Sequence, residues 1–98
     1  MHDLLGDPVE LRGRSKQIFG NRYMLEVCAA MSSVRGRTNL TELIGESGIS
    51  PSLYAGPLHR LLRAELIGVD ERPGDGRRER WYRPTRTSLW RAARDLAS

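Results

Sequence analysis

Apolar residues recur at helical spacing in several stretches of the chain, each bounded by capping or turn residues. Met24, Val27, Cys28 and Met31 fall on one face, with Leu25 and Ala29 widening it. Gly20 and Asn21 precede them, so the pattern predicts a core helix over 21–33, capped by Asn21. Leu40, Leu43 and Ile44 form a second short face behind Asn39, an N-cap whose amide Glu42 can reach. Gly48 can take positive φ and end that helix, with Ile49 packing back over its last turn. Ser50 and Pro51 then restart a helix as N-cap and first-turn proline, with Leu58, Leu61 and Leu62 as its buried stripe. Residues 39–65 thus read as helix, glycine turn and second helix.

The flanks are shorter and more broken. Residues 1–17 form an N-terminal extension that begins loose. Asp7-Pro8 then opens a helix that Gly13 should leave short or irregular, with Val9, Leu11, Ile18 and Phe19 available to dock. Arg35 and Arg37 sit in a loop before Thr38, which adds a short strand. Residues 66–84 read as a hairpin, LIGVDER returning as RRERWYR around the turn Pro73-Gly74-Asp75-Gly76. Alternation places Trp81 and Arg83 on one side of the return strand, Arg80 and Tyr82 on the other. Pro84 ends it. Thr87 caps a last helix over 87–97, with Leu89, Ala93 and Leu96 on one stripe and Trp90 and Ala97 beside it. So short a helix is marginal alone and must dock.

The fold class expected is mainly α with a small β-hairpin wing (α+β), as one domain over 1–98. From Ile18 onward, IFGNRYMLEV, the helix-turn-helix NLTELIGESGISPSLYAGPLHRLLRAELI and the basic hairpin resemble the winged helix-turn-helix DNA-binding regulators of bacteria, the ArsR, MarR and PadR groups. The resemblance implies a recognition helix over 51–64 that enters the major groove of double-stranded DNA. Base reading would fall to Ser52, Leu53, Ala55 and Gly56, next to the Ser50 cap. Leu53 and Ala55 offer apolar contact, for instance to a thymine methyl, and Ser52 one hydroxyl. None can make a bidentate contact to a base edge. The resemblance also implies a homodimer formed through the N- and C-terminal helices, which would read paired half-sites. The other option for the last helix is to fold back on its own first core helix.

Charge sharpens this picture. The chain carries a formal charge of +4 at pH 7, with 16 basic and 12 acidic residues. Residues 77–98 hold seven arginines against only Glu79 and Asp95, so the excess lies in the last quarter. Such a concentration suits a phosphate backbone. Arg77, Arg78 and Arg80, beside the hairpin turn, are the candidate wing contacts to backbone or minor groove. An edge strand charged against aggregation is the other reading. His59, Arg60 and Arg63 follow the recognition turns and suit phosphate contact or a solvated surface. Tyr54 stands at a core position, four residues before Leu58.

Gly56-Pro57 departs from the pattern. A proline inside a helix removes one hydrogen bond and crowds the carbonyl of Leu53. A kink or widened turn is therefore expected over 53–57, either aiming the helix or tolerated as a packing quirk.

No catalytic, metal or cofactor site is expected. The single cysteine, Cys28, rules out an internal disulfide and lies on a core face as a small hydrophobe. The cysteine pairs or histidine and carboxylate clusters of metal-sensing relatives are missing, and His2 and His59 share no ligand spacing. No apolar run would span a bilayer and no leader pattern opens the chain, which predicts a cytoplasmic protein. An alternative from a different class remains, a protein-interaction module docking through the apolar Leu53–Ala55–Pro57 face.

Overall fold

A computed structural model of the chain describes residues 7–72 and 79–98. Its elements are α1 (Pro8–Phe19), α2 (Met24–Met31), β1 (Thr38–Asn39), α3 (Leu40–Ile44), α4 (Pro51–Arg63), β2 (Ile67–Val69), β3 (Trp81–Pro84) and α5 (Leu89–Ala97). The class is α+β, mostly helical, with one small antiparallel sheet. The chain forms two compact units, residues 7–33 with 87–98, and Val34–Arg86.

The first unit is three helices, with α2 packed against both α1 and α5. The Asp7 carboxylate accepts from the Val9 amide at 2.8 Å, Pro8 opens the first turn, and Gly20 at φ 71° closes the last. With both ends so fixed, α1 runs twelve regular residues through Gly13, where a short or irregular helix was expected. Leu11 and Ser15 are buried, while Val9 and Ile18 stay exposed.

Asn21 does not cap α2. Its side chain accepts from the Tyr23 amide at 2.8 Å, a local turn, and the helix starts three residues later than its sequence suggests. The capping role passes to Ser15 of α1. Its hydroxyl accepts from the Leu25 amide at 2.9 Å and donates to the Asn21 carbonyl at 2.5 Å. Met24, Leu25, Val27, Cys28, Ala29 and Met31 are all buried, as their spacing predicts. Glu26 is buried with them, and takes the Arg12 guanidinium at 2.8 Å. That guanidinium also lies 5.0 Å from the centre of the Tyr23 ring.

On α5 the buried row is Trp90, Ala93 and Ala97, not the expected Leu89–Ala93–Leu96, and Leu96 is exposed. The choice follows from area and fit. Trp90 removes more apolar surface from water than either leucine, and two alanines allow close approach to α2. Thr87 accepts from the Leu89 amide at 3.2 Å, the cap expected of it. Arg94 donates to the hydroxyls of Ser32 and Ser33 at 3.0 and 2.9 Å, and Arg14 donates to the Leu96 carbonyl.

In the second unit the sheet order is β1-β3-β2, all antiparallel. Thr38 faces Tyr82 and Asn39 faces Trp81 across one edge, while Gly68 faces Arg83 and Val69 faces Tyr82 across the other. Asn39 leaves the sheet as the N-cap of α3, its side chain accepting from the Glu42 amide at 2.8 Å. Gly45 ends α3, with φ 54° and ψ −132° and its N–H on the Thr41 carbonyl at 3.0 Å. Gly48, expected in that role, instead supplies a φ of 74° in the following turn. Gly45 is the earlier residue able to take such a conformation, so the helix stops at five residues.

Ser50 and Pro51 start α4, which stays α-helical from Pro51 to Arg63. Of the kink or widened turn expected over 53–57, the widened turn is not formed. Pro57 is among the most buried side chains, so the ring packs inward while Leu53, whose carbonyl it deprives of a donor, is exposed to water. Tyr54, Leu58 and Leu61 are buried beside it, and Leu62 partly so.

Ser15 and Gly13 give opposite expectations within one helix. Ser15→Ala leaves the buried Leu25 amide without its acceptor and should cost ~1–3 kcal/mol. Gly13→Ala places a methyl where nothing lies within 4 Å and should add up to ~1 kcal/mol. Urea denaturation of the three chains, followed by circular dichroism, reads both signs.

Candidate functional site

The outward side of α4 is built by exclusion. Tyr54, Pro57, Leu58 and Leu61 occupy its inner side, so residues out of phase with them face solvent. Ser52, Leu53, Ala55, Gly56, His59, Arg60 and Arg63 are all exposed. The early turns present small and apolar groups, and the later turns are basic. No Asp or Glu occurs in the helix. Ser50 and Ser52 lie together, their hydroxyl oxygens 3.1 Å apart. At the far end Glu65 holds a left-handed φ of 62° and lets the chain turn into β2.

The β2–β3 pair carries a second set of charges. Arg80, just before β3, is exposed. Arg77 and Arg78 lie outside the described residues. Arg83 is occupied by Asp70, whose Oδ2 accepts from its Nη2 at 2.8 Å and its Nε at 3.2 Å. Arg72 donates to the same oxygen at 3.3 Å. The hydrogen bond from Arg83, with help from Arg72, holds the Asp70 carboxyl below its ordinary range. A lowered value favours the ionised form, so the cluster persists at neutral pH and is lost only as acid drives pH down through that value.

Two further contacts fix the geometry of this unit. Glu79 accepts from the Asn39 side-chain amide at 2.9 Å and from the Thr41 hydroxyl at 3.1 Å. One carboxylate therefore ties the approach to β3 to the capping residue of α3. Arg37 lies over the Trp81 ring, 4.1 Å from its centre, so this arginine is stacked on the sheet. Sequence spacing carries no sign of either contact. Glu79 and Asn39 are 40 residues apart, and only the register of β1 on β3 brings them together.

The sequence-derived residues thus separate into two places. Ser50, Ser52, Leu53, Ala55, Gly56, His59, Arg60 and Arg63 share one helix, and Arg80 stands at the sheet. A surface depression of about 400 Å³ lies along β2 and β3, lined by Val69, Asp70, Glu71, Arg83, Pro84 and Thr85 among others. Of its two acids, Asp70 is committed to Arg72 and Arg83. Among the described residues no group of three or more His, Cys, Asp or Glu could hold a metal ion. Cys28 is buried, and burial pushes its thiol up to about 11. It is therefore an un-ionised thiol at neutral pH. No helix among the described residues is long and apolar enough to cross a membrane.

The Asn39–Glu79 contact gives a graded expectation. Asn39 is 3% exposed, and Asn39→Ala should cost ~1–2 kcal/mol through the lost cap. Glu79→Gln, at an exposed position, should cost less than ~1 kcal/mol. Thermal melts of both variants check the order. Comparison with family models, with curated proteins and with solved structures finds no match to this chain.

Proposed function

We propose that this chain is a winged-helix protein that binds double-stranded DNA as a small transcriptional regulator. The observation that carries the reading is the outward face of α4, which holds His59, Arg60 and Arg63 and no acidic residue. The element order supports it. A strand, two helices and an antiparallel strand pair, with the first strand completing a β1-β3-β2 sheet, is an order that a winged helix would use. On this reading α4 is the recognition helix and the β2–β3 pair the wing. The front of α4 enters the major groove, and its later cations contact phosphates. Arg80, with Arg77 and Arg78 beside it in sequence, holds the backbone or the minor groove.

Phosphate neutralisation releases counterions, so affinity should fall steeply with salt. The stacked Arg37 and the Asp70-bound Arg72 and Arg83 are already engaged within the protein, and the steepness should come chiefly from Arg60 and Arg63 of α4 and from Arg77, Arg78 and Arg80. The reading includes a homodimer through α1 and α5. Val9, Ile18 and Leu96 on these helices are large apolar side chains at 79%, 50% and 42% exposure. Sedimentation of the free chain at the mass of one copy would remove the dimer from the proposal.

A second reading draws on Leu53, 40% exposed on the same helix. An acidic protein partner docking on α4 would cover it and meet Arg60 and Arg63.

Titration of a fluorescent mixed-sequence duplex across a salt series separates the two. Arg60→Ala and Arg63→Ala should each weaken binding and reduce the salt slope by about one. Arg77, Arg78 and Arg80 changed together to alanine should flatten it by about three. A wild-type chain that leaves the duplex unbound even at low salt refutes DNA binding and leaves the protein partner.

A further inference from the structure

The basic run from Arg77 to Arg83, RRERWYR, carries one acid, Glu79. On a surface that meets a polyanion, a carboxylate next to Arg80 opposes binding. Yet both oxygens of Glu79 are engaged. Oε2 accepts from the Asn39 side-chain amide at 2.9 Å, and Oε1 from the Thr41 hydroxyl at 3.1 Å. Asn39 is itself held, being 3% exposed, with its Oδ1 on the Glu42 amide and its place opposite Trp81 in the sheet.

The residue after Arg80 is held as well. Trp81 opens β3 and lies under the Arg37 guanidinium, 4.1 Å from its ring centre. Arg80 therefore stands in the chain between two anchored neighbours. Its own side chain is exposed and, among the described residues, makes no hydrogen bond or ion pair. Arg72 and Arg83, by contrast, donate to Asp70. A guanidinium carried on backbone that is already ordered loses less conformational freedom on binding than one on a loose segment.

We infer that Glu79 is a positioning residue for phosphate contact. By gripping Asn39 and Thr41 it fixes the backbone from which Arg80 reaches DNA, so that an acidic side chain strengthens binding to a polyanion. The inference rests on the DNA-binding reading above. Two effects of Glu79 compete. Its repulsion of phosphates is screened by solvent and salt, because the residue is exposed. The order it imposes on the approach to β3 is not screened. Order should outweigh charge.

The test uses the full chain and a fluorescent mixed-sequence duplex at one fixed low salt concentration, with thermal melts to show that each variant is folded during titration. Glu79→Ala should weaken binding about two- to tenfold, the loss expected when one long side chain must be ordered on binding, although it removes a negative charge. Thr41→Val, which leaves the charge in place, should weaken binding in the same direction. Thr41→Ser keeps the hydroxyl and should bind as the wild type does. Combined with Arg80→Ala, neither Glu79→Ala nor Thr41→Val should cause further loss, because the grip acts through that arginine. The Thr41 variants carry the same cycle if Glu79→Ala melts too low to assay. Equal or tighter binding by Glu79→Ala overturns the inference, since the acid would then act only as an opposing charge. Losses that persist undiminished beside Arg80→Ala also overturn it, as does an Arg80→Ala chain that binds like the wild type. Both outcomes leave DNA binding standing. A wild-type chain that fails to bind the duplex overturns this inference and the reading beneath it.

Discussion

The second unit depends on which way α4 is turned. Tyr54, Pro57, Leu58 and Leu61 are buried together on one side, and full burial of such side chains contributes roughly 1.5–3 kcal/mol each. Rotating the helix by one residue would expose part of that set and press Arg60 or Ala55 inward in its place. Burying an unpaired guanidinium is far more costly than any gain. The inner side thus fixes the outer one, and the apolar-then-basic order of Leu53 to Arg63 on the surface is a consequence of core packing. Pro57 takes part in this. Inside a solvated helix it would break the ladder at a cost, but here its ring replaces apolar surface and its orphaned carbonyl belongs to the exposed Leu53.

Within each unit, buried polar groups are satisfied by partners from other elements. Ser15 caps α2 from α1, and the Glu26 carboxylate is held by Arg12. Asn39 is shared between the Glu42 amide and the Glu79 carboxylate. Among the described residues no buried side-chain nitrogen or oxygen is left without a hydrogen bond. Such contacts are modest in energy yet restrictive in geometry, since each is satisfied in one arrangement only. Glu79 matters most for the outward surface, because it links the strand pair to the residue that starts α3.

Much of this was legible in the residues themselves. Asp7-Pro8, Asn39 and Ser50-Pro51 mark helix starts by local chemistry, and the structure starts helices at each of them. The inner row of α4 follows from the spacing of Leu58 and Leu61, and Cys28 sits in the core as its neighbours require. The misreadings share one cause. Asn21 and Gly48 have the right chemistry for a cap and a stop, but a partner in another element or an earlier glycine took the role. Leu89 and Leu96 are the more hydrophobic stripe on α5, yet the row of Trp90, Ala93 and Ala97 fits α2 better. Local pattern names the candidates, and tertiary packing chooses among them. The Glu79 contact and the stacking of Arg37 on Trp81 lie beyond local pattern, because both are made by strand register. The candidate interface was visible as a list of residues. Their exposure on one continuous side of α4 required the fold.

Amide chemical-shift mapping of the isotope-labelled chain during titration with duplex DNA tests the central claim most directly. The account predicts that the largest shifts fall on Ser52 to Arg63 and on the residues around Arg80, with α2 amides little moved. Shifts that spare α4, or concentrate on α1 and α5, would contradict it.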